Sequence, residues 1–89
     1  MPSMPSPIDQ RRLRDGASAL EVSARQPETI DEARQQISTV YDGIAALQSL
    51  DDLGADANEF VLVTIRTLRK RMKALKQRLN DLEGKAAKP

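Results

Sequence analysis

The segment Val61–Leu82, with the sequence VLVTIRTLRKRMKALKQRLNDL, decides the fold of this 89-residue chain. Its apolar residues recur in alternating steps of four and three, which is the heptad pattern of a helix that packs against other helices. The strip they form is narrow, so it fits a neighbouring helix better than the broad core of a large globular domain. We call these residues the heptad seam: Val61, Ile65, Leu68, Met72, Leu75, Leu79 and Leu82.

Upstream of the heptad seam, the sequence predicts two more helices. The clearer one spans about 29–50, because Thr29 and Glu32 have the spacing of a capping box and apolar residues follow in steps of three and four. Gly43 inside it marks either a local cost or a close approach of two backbones. A patchier stripe predicts a short, loosely held helix at about 8–24, which Gly16 weakens by about 1 kcal/mol relative to alanine.

The last helix is predicted at about 57–83. Residues 51–55 have the composition of a turn, Asp56 and Glu59 repeat the capping-box spacing, and Gly84 is placed to end the helix. Two long helices joined by a short turn run antiparallel. The predicted fold class is therefore all-α: an antiparallel, coiled-coil-like helical hairpin preceded by a short N-terminal helix, and completed by dimerisation or by a partner.

These elements form a single predicted helical domain at 7–84. We expect residues 1–6 to be a disordered leader because four of the six are proline or serine and there is little to bury, and residues 85–89 to be a flexible basic tail.

Charge divides the chain into an acidic part and a basic part. Residues 28–59 hold eight acids and one base, a net of −7, whereas residues 60–80 hold seven bases and no acid, a net of +7. Closing the hairpin would place Lys76 and Arg78 beside Glu28 and its acidic neighbours, and Arg71 opposite the middle of the helix at 29–50. We therefore expect ion pairs between the two long helices, each stabilising the fold by about 0.2–1 kcal/mol.

Four of the seven bases share one side of the last helix, because their spacing is i, i+3, i+4 and i+7: Arg66, Arg69, Lys70 and Lys73. We call this set the basic stripe and expect it to face outward, opposite the heptad seam. It could contact phosphates or an acidic partner, or it could be a solvated face that pairs with the acidic helix. The aromatic residues are only Tyr41 and Phe60, so stacking on nucleic-acid bases is not supported.

Enzymatic chemistry is poorly supported. The chain lacks histidine and cysteine, which are the residues most used for acid–base catalysis near neutral pH and for zinc binding. No glycine-rich phosphate loop is present, so we expect no cofactor, no metal and no small-molecule substrate. No apolar run reaches the length of a membrane span, and the N-terminal residues lack the pattern of a signal peptide, so we expect a cytoplasmic protein.

The remaining interpretation is a non-enzymatic helical module that binds proteins, such as an adaptor, a small regulator, an inhibitor or a chaperone-like subunit. The expected partner is a second copy of the chain or the helices of another protein. The candidate contact residues are the heptad seam together with four flanking residues: Tyr41, which we expect to be half-buried, Leu50, Phe60 and Leu62. The alternative is a helical protein that binds nucleic acid through the basic stripe.

Overall fold

The fold is all-helical, as predicted. The computed structural model describes residues 7–50 and 54–87, of which 87% are helical and none is in a strand. The chain forms α1 (Pro7–Val22), α2 (Ile30–Gln48) and α3 (Ala55–Ala87), of 16, 19 and 33 residues. The predicted leader at 1–6, the predicted turn residues 51–53 and the last two residues lie outside the described residues.

The start of α2 confirms the capping prediction at Thr29. This residue has an extended backbone, with φ −122° and ψ 160°, and its Oγ1 accepts a hydrogen bond of 3.1 Å from the backbone N–H of Glu32. Glu32 Oε2 in turn accepts a 3.0 Å hydrogen bond from the backbone N–H of Glu28, one residue before the cap. Two amide groups at the helix start are thereby satisfied by side chains.

α3 is longer at both ends than the sequence predicts. It begins at Ala55, and the backbone N–H of Asn58 donates to the carbonyl of Gly54 over 2.9 Å, so the predicted start at 57 is wrong. Gly54 has φ +100°, a conformation that residues with a Cβ rarely adopt, and this fixes the entry into the helix there.

Gly84 does not end α3, which continues to Ala87, so the predicted tail is wrong for residues 85–87. A glycine inside a helix costs only about 1 kcal/mol, and the residues that follow Gly84 are good helix formers. The lysine–alanine composition of 85–87 is therefore sufficient to carry the helix past the glycine.

All three helices contribute to one apolar core. Its buried residues are Ala19 from α1, Val40 and Leu47 from α2, and Val61, Ile65, Leu68 and Leu75 from α3. Leu13 and Leu20 of α1 pack against this core and are partly buried. The expectation of a loosely held first helix is therefore wrong, because α1 covers part of the core instead of preceding it.

Two glycines allow α1 and α2 to approach closely. A Cβ placed on Gly43 of α2 would lie 2.5 Å from the Cβ of Ala19 and 3.3 Å from the backbone oxygen of Asp15. A Cβ on Gly16 of α1 would lie 2.7 Å from three side-chain atoms of Leu47. Real Cβ atoms do not come this close to other heavy atoms. The Cβ of Ala19 cannot move away without its backbone, so the crossing requires glycine at position 43, whereas at position 16 the end of the Leu47 side chain would have to shift.

We predict that Gly43→Ala and Gly84→Ala change the free energy of unfolding in opposite directions. Alanine has the higher helix propensity at both sites, by about 1 kcal/mol. At Gly43 the added methyl group meets Ala19, and the repacking costs about 1–3 kcal/mol, so stability falls. At Gly84 nothing lies within 4 Å, so stability rises.

Urea denaturation of the two variants and the unchanged chain measures this difference. An equal increase in unfolding free energy for both variants would show that α1 and α2 do not cross at Gly43.

Candidate protein-binding surface

The heptad seam is covered within the chain. Val61 and Ile65 are each 9% exposed, Leu68 is fully buried and Leu75 is 5% exposed, while Met72, Leu79 and Leu82 are half-buried. The buried members pack in the same cluster as Ala19, Val40 and Leu47 from the other two helices. α1 and α2 thus occupy the surface that the sequence assigns to a partner.

The four flanking residues differ in their exposure. Leu50 is half-buried and packs against the core, so it is part of the scaffold. Phe60 and Leu62 are 49% and 58% exposed. Tyr41 is 67% exposed, so its predicted half-burial is wrong.

Val63 is an exposed apolar residue that the sequence analysis missed, and it is 54% exposed. It follows Leu62 in a run of apolar residues that continues on both sides of the heptad position Val61. An apolar residue displaced by two positions from the heptad seam points away from the core at 100° per residue, and this signal was available in the sequence.

The basic stripe is exposed, as the sequence predicts, and lies on the side of α3 that faces away from the core. At 100° per residue, its four cations fall together with Leu62 and Val63 inside an arc of about 120°. We call this surface the outer face of α3: Leu62, Val63, Arg66, Arg69, Lys70 and Lys73. Among the described residues, the ion pairs are Arg12–Asp9 and Arg34–Glu83, and no cation of the outer face takes part in them.

Arg71 and Arg78 of α3 have a different role from the basic stripe. The guanidinium of Arg71 donates to the backbone carbonyl of Leu20 and, over 3.0 Å, to the hydroxyl of Ser23 at the end of α1. Arg78 Nε donates over 3.0 Å to the carbonyl of Pro27, between α1 and α2. The last carbonyls of a helix lack backbone partners and carry partial negative charge, so a cation there stabilises the helix end.

The predicted ion pairs between α2 and α3 are therefore wrong in most details. Arg78 does lie beside the start of α2, but it binds a carbonyl there and not a carboxylate, and Arg71 contacts α1 instead of the middle of α2. The ion pair that joins the two helices in the described part of the chain is Arg34–Glu83, at 4.0 Å. Its base lies on the acidic helix and its acid on the basic one, the reverse of the expected polarity. Short-range packing, which fixes where each side chain can reach, outweighs the average charge of a segment.

Two open clefts flank the connection between α1 and α2. The larger one, of about 700 Å³, is lined by polar residues of both helices, including Glu21, Arg25, Gln35 and Thr39. Gln36 also lines it, and its Oε1 is buried without a hydrogen-bond partner. Because that oxygen is inaccessible to solvent, it is also inaccessible to a ligand in the cleft. The smaller cleft, of about 280 Å³, lies beside Arg71 and Arg78.

No grouping of carboxylates suited to a metal ion occurs in residues 7–50 and 54–87. Over the same residues, none of the helices combines the length and the apolar character that crossing a membrane requires.

Comparison of the chain with protein-family models, with curated proteins and with solved structures finds no match.

We predict that Arg71→Ala lowers the unfolding free energy by about 1–3 kcal/mol, because it removes charge-assisted hydrogen bonds and leaves a part-buried carbonyl with fewer donors. The matched control is Arg69→Ala, on the same helix two residues away, which removes an exposed cation and stays within about 0.5 kcal/mol.

Denaturation curves give both values, and hydrogen exchange at the last turn of α1 should accelerate only in Arg71→Ala. Equal losses in the two variants would contradict the assignment of Arg71 to the end of α1.

Proposed function

We propose that this chain is a non-enzymatic helical module that binds other proteins through the outer face of α3. One observation carries the proposal. The exposed aliphatic side chains Leu62 and Val63 adjoin four exposed cations that form no ion pair with the described acidic residues of the chain. The neighbouring Arg71 and Arg78, in contrast, bind backbone carbonyls of the other parts of the chain and so contribute to the fold.

The scaffold behind this surface is proposed to be an antiparallel, coiled-coil-like hairpin of α2 and α3, with α1 as the third helix. The hydrogen bond from Arg78 to Pro27 and the ion pair Arg34–Glu83 support it, since both join the region where α2 begins to the last third of α3. In this arrangement α1 takes the place that a second chain or a partner would otherwise fill. The module then needs no dimer to cover its heptad seam.

A partner on the outer face gains apolar burial as well as charge contacts. Leu62 and Val63 are each more than half exposed, and full burial of such a side chain contributes about 1.5–3 kcal/mol relative to full exposure. Covering what remains exposed is therefore worth about 1 kcal/mol for each residue. Aliphatic contacts of this kind are typical of binding to a protein.

Nucleic-acid binding is the second candidate, and the exposed basic stripe favours it. Its cations span about 10.5 Å along α3, enough to neutralise a few phosphates. Two features weigh against it. The aromatic residues Tyr41 and Phe60 lie outside the outer face, so bases have nothing there on which to stack. Leu62 and Val63 would have no counterpart on a phosphate backbone.

Site-specific photo-crosslinking tests the proposed function. A photoreactive amino acid is introduced at Leu62 of the full chain, and a control chain carries it at Ala45, an exposed position on α2. We expect a discrete protein adduct from position 62 that resists nuclease and is absent from position 45.

Mass spectrometry of the adduct identifies the partner and the segment that touches α3. Nuclease-sensitive adducts alone would favour the nucleic-acid alternative, and the same pattern of adducts from both positions would contradict a binding surface on α3.

A further inference from the structure

We infer that the outer face of α3 recognises an acidic amphipathic segment of another protein, in which aliphatic residues are followed by a row of carboxylates. This inference rests on the proposed function and names the chemistry of its partner. It follows from the order of side chains along α3, from the absence of ion pairs between the cations and the acids of residues 7–50 and 54–87, and from the charges that these residues present.

The cations define the charge and spacing of the partner. Arg66 and Lys73 lie two helical turns apart, about 10.5 Å at 1.5 Å per residue, and Arg69 and Lys70 fall between them. A helical segment that follows the same side of α3 would meet them with carboxylates at i, i+3 or i+4, and i+7. The four cations repel one another, and an acidic partner reduces this repulsion when it binds. Attraction between opposite charges also accelerates the association of the two proteins.

The apolar residues define the polarity of the partner. Leu62 and Val63 lie one turn before Arg66, at one end of the outer face and not among its cations. A partner that satisfies both parts must carry its aliphatic residues at one end and its acidic residues over the next two turns. A phosphate backbone and an anionic membrane surface do not present an aliphatic part at one end and a charged part at the other.

A second copy of the chain does not have this chemistry. Two outer faces brought together would oppose eight cations, four from each copy, without a compensating acid between them. The exposed acids at the start of α2 are Glu28, Asp31 and Glu32, but the Glu32 carboxylate is already bonded to the backbone N–H of Glu28. The residues just before Glu28 are Arg25, Gln26 and Pro27, so this segment has a base where the partner needs aliphatic residues, and the complementary segment belongs to another protein.

The test uses the full chain and a fluorescent synthetic peptide in which two leucines are followed by glutamates at i, i+3, i+4 and i+7. A scrambled peptide of identical composition is the reference. We expect the ordered peptide to bind more tightly in fluorescence anisotropy titrations. The double variant Lys70→Glu/Lys73→Glu should weaken its binding about tenfold or more, a loss of about 1.4 kcal/mol. The single variant Leu62→Ser should weaken it about fivefold, a loss of about 1 kcal/mol.

Lys85→Glu is the matched control, since Lys85 is exposed on the same helix but lies outside the outer face. It should leave the affinity within about twofold. A peptide with lysines in place of only the last two glutamates, those at i+4 and i+7, should bind the double variant more tightly than the unchanged chain. Circular dichroism of every variant verifies that the helices remain formed.

Three outcomes would overturn the inference: equal binding of the scrambled peptide, equal weakening by Lys85→Glu, or tighter binding of duplex DNA or of anionic lipid vesicles than of the ordered peptide. The crosslinking experiment separates this inference from the proposed function. A discrete protein adduct at Leu62 whose contacting segment is not acidic would leave the proposed function standing and remove the inference.

Discussion

The structure depends on the close crossing of α1 and α2, because that crossing produces the surface on which α3 packs. A methyl group on Gly43 would lie 2.5 Å from the Cβ of Ala19, and one on Gly16 would lie 2.7 Å from the side chain of Leu47. The paired helices then bury Leu68 completely. Wider separation of α1 and α2 would leave the heptad seam without a continuous apolar neighbour, and the exposed leucines would demand a second chain.

Because the heptad seam packs against the other helices of the chain, the bases of α3 lie in two different environments. Arg71 and Arg78 lie at the border of the buried side, where their long stems pack and their guanidinium groups reach free carbonyls around the end of α1. The basic stripe lies on the opposite side, and its cations make no such hydrogen bond to a carbonyl of residues 7–50 or 54–87. The bases form one block in the sequence, but the rotation of the helix separates them. Arg71 and Arg78 bind carbonyls of the chain, whereas the basic stripe is exposed on the opposite side of α3.

The sequence was sufficient for the features that depend on local chemistry and periodicity. The all-helical fold, the cap at Thr29 and the outward direction of the basic stripe follow from side-chain type and spacing. The position of α1 could not be predicted in this way. Its contact with α2 is made by Gly16 and Ala19, and small residues give no hydrophobic signal even where they permit the closest packing. The sequence therefore predicted a hairpin of the two long helices completed by dimerisation or by a partner, because the contribution of α1 to the core was hidden in a weak pattern.

The contacts of Arg71 were unpredictable for a related reason. The charge pattern of the sequence placed Arg71 opposite the acidic helix α2, and only the position of the end of α1 shows which carbonyl it binds. Gly84 shows the opposite error, since a residue type that often ends helices was given more weight than the helix formers around it.

α1 packs on the same apolar core as the heptad seam of its own chain, and paramagnetic relaxation measurements test this contact. A spin label is attached at Ala24→Cys, an exposed site just after α1 that shares a cleft with Arg71 and Leu75, and the chain has no other cysteine. If the account is correct, amide signals of α3 near Arg71 are broadened when label and isotope are on the same chain. In a second sample, spin-labelled chains of natural isotope content are mixed with isotope-enriched chains that carry no spin label. The same amide signals should remain sharp in that sample. Broadening in the mixed sample, or none in the single-chain sample, would contradict the account.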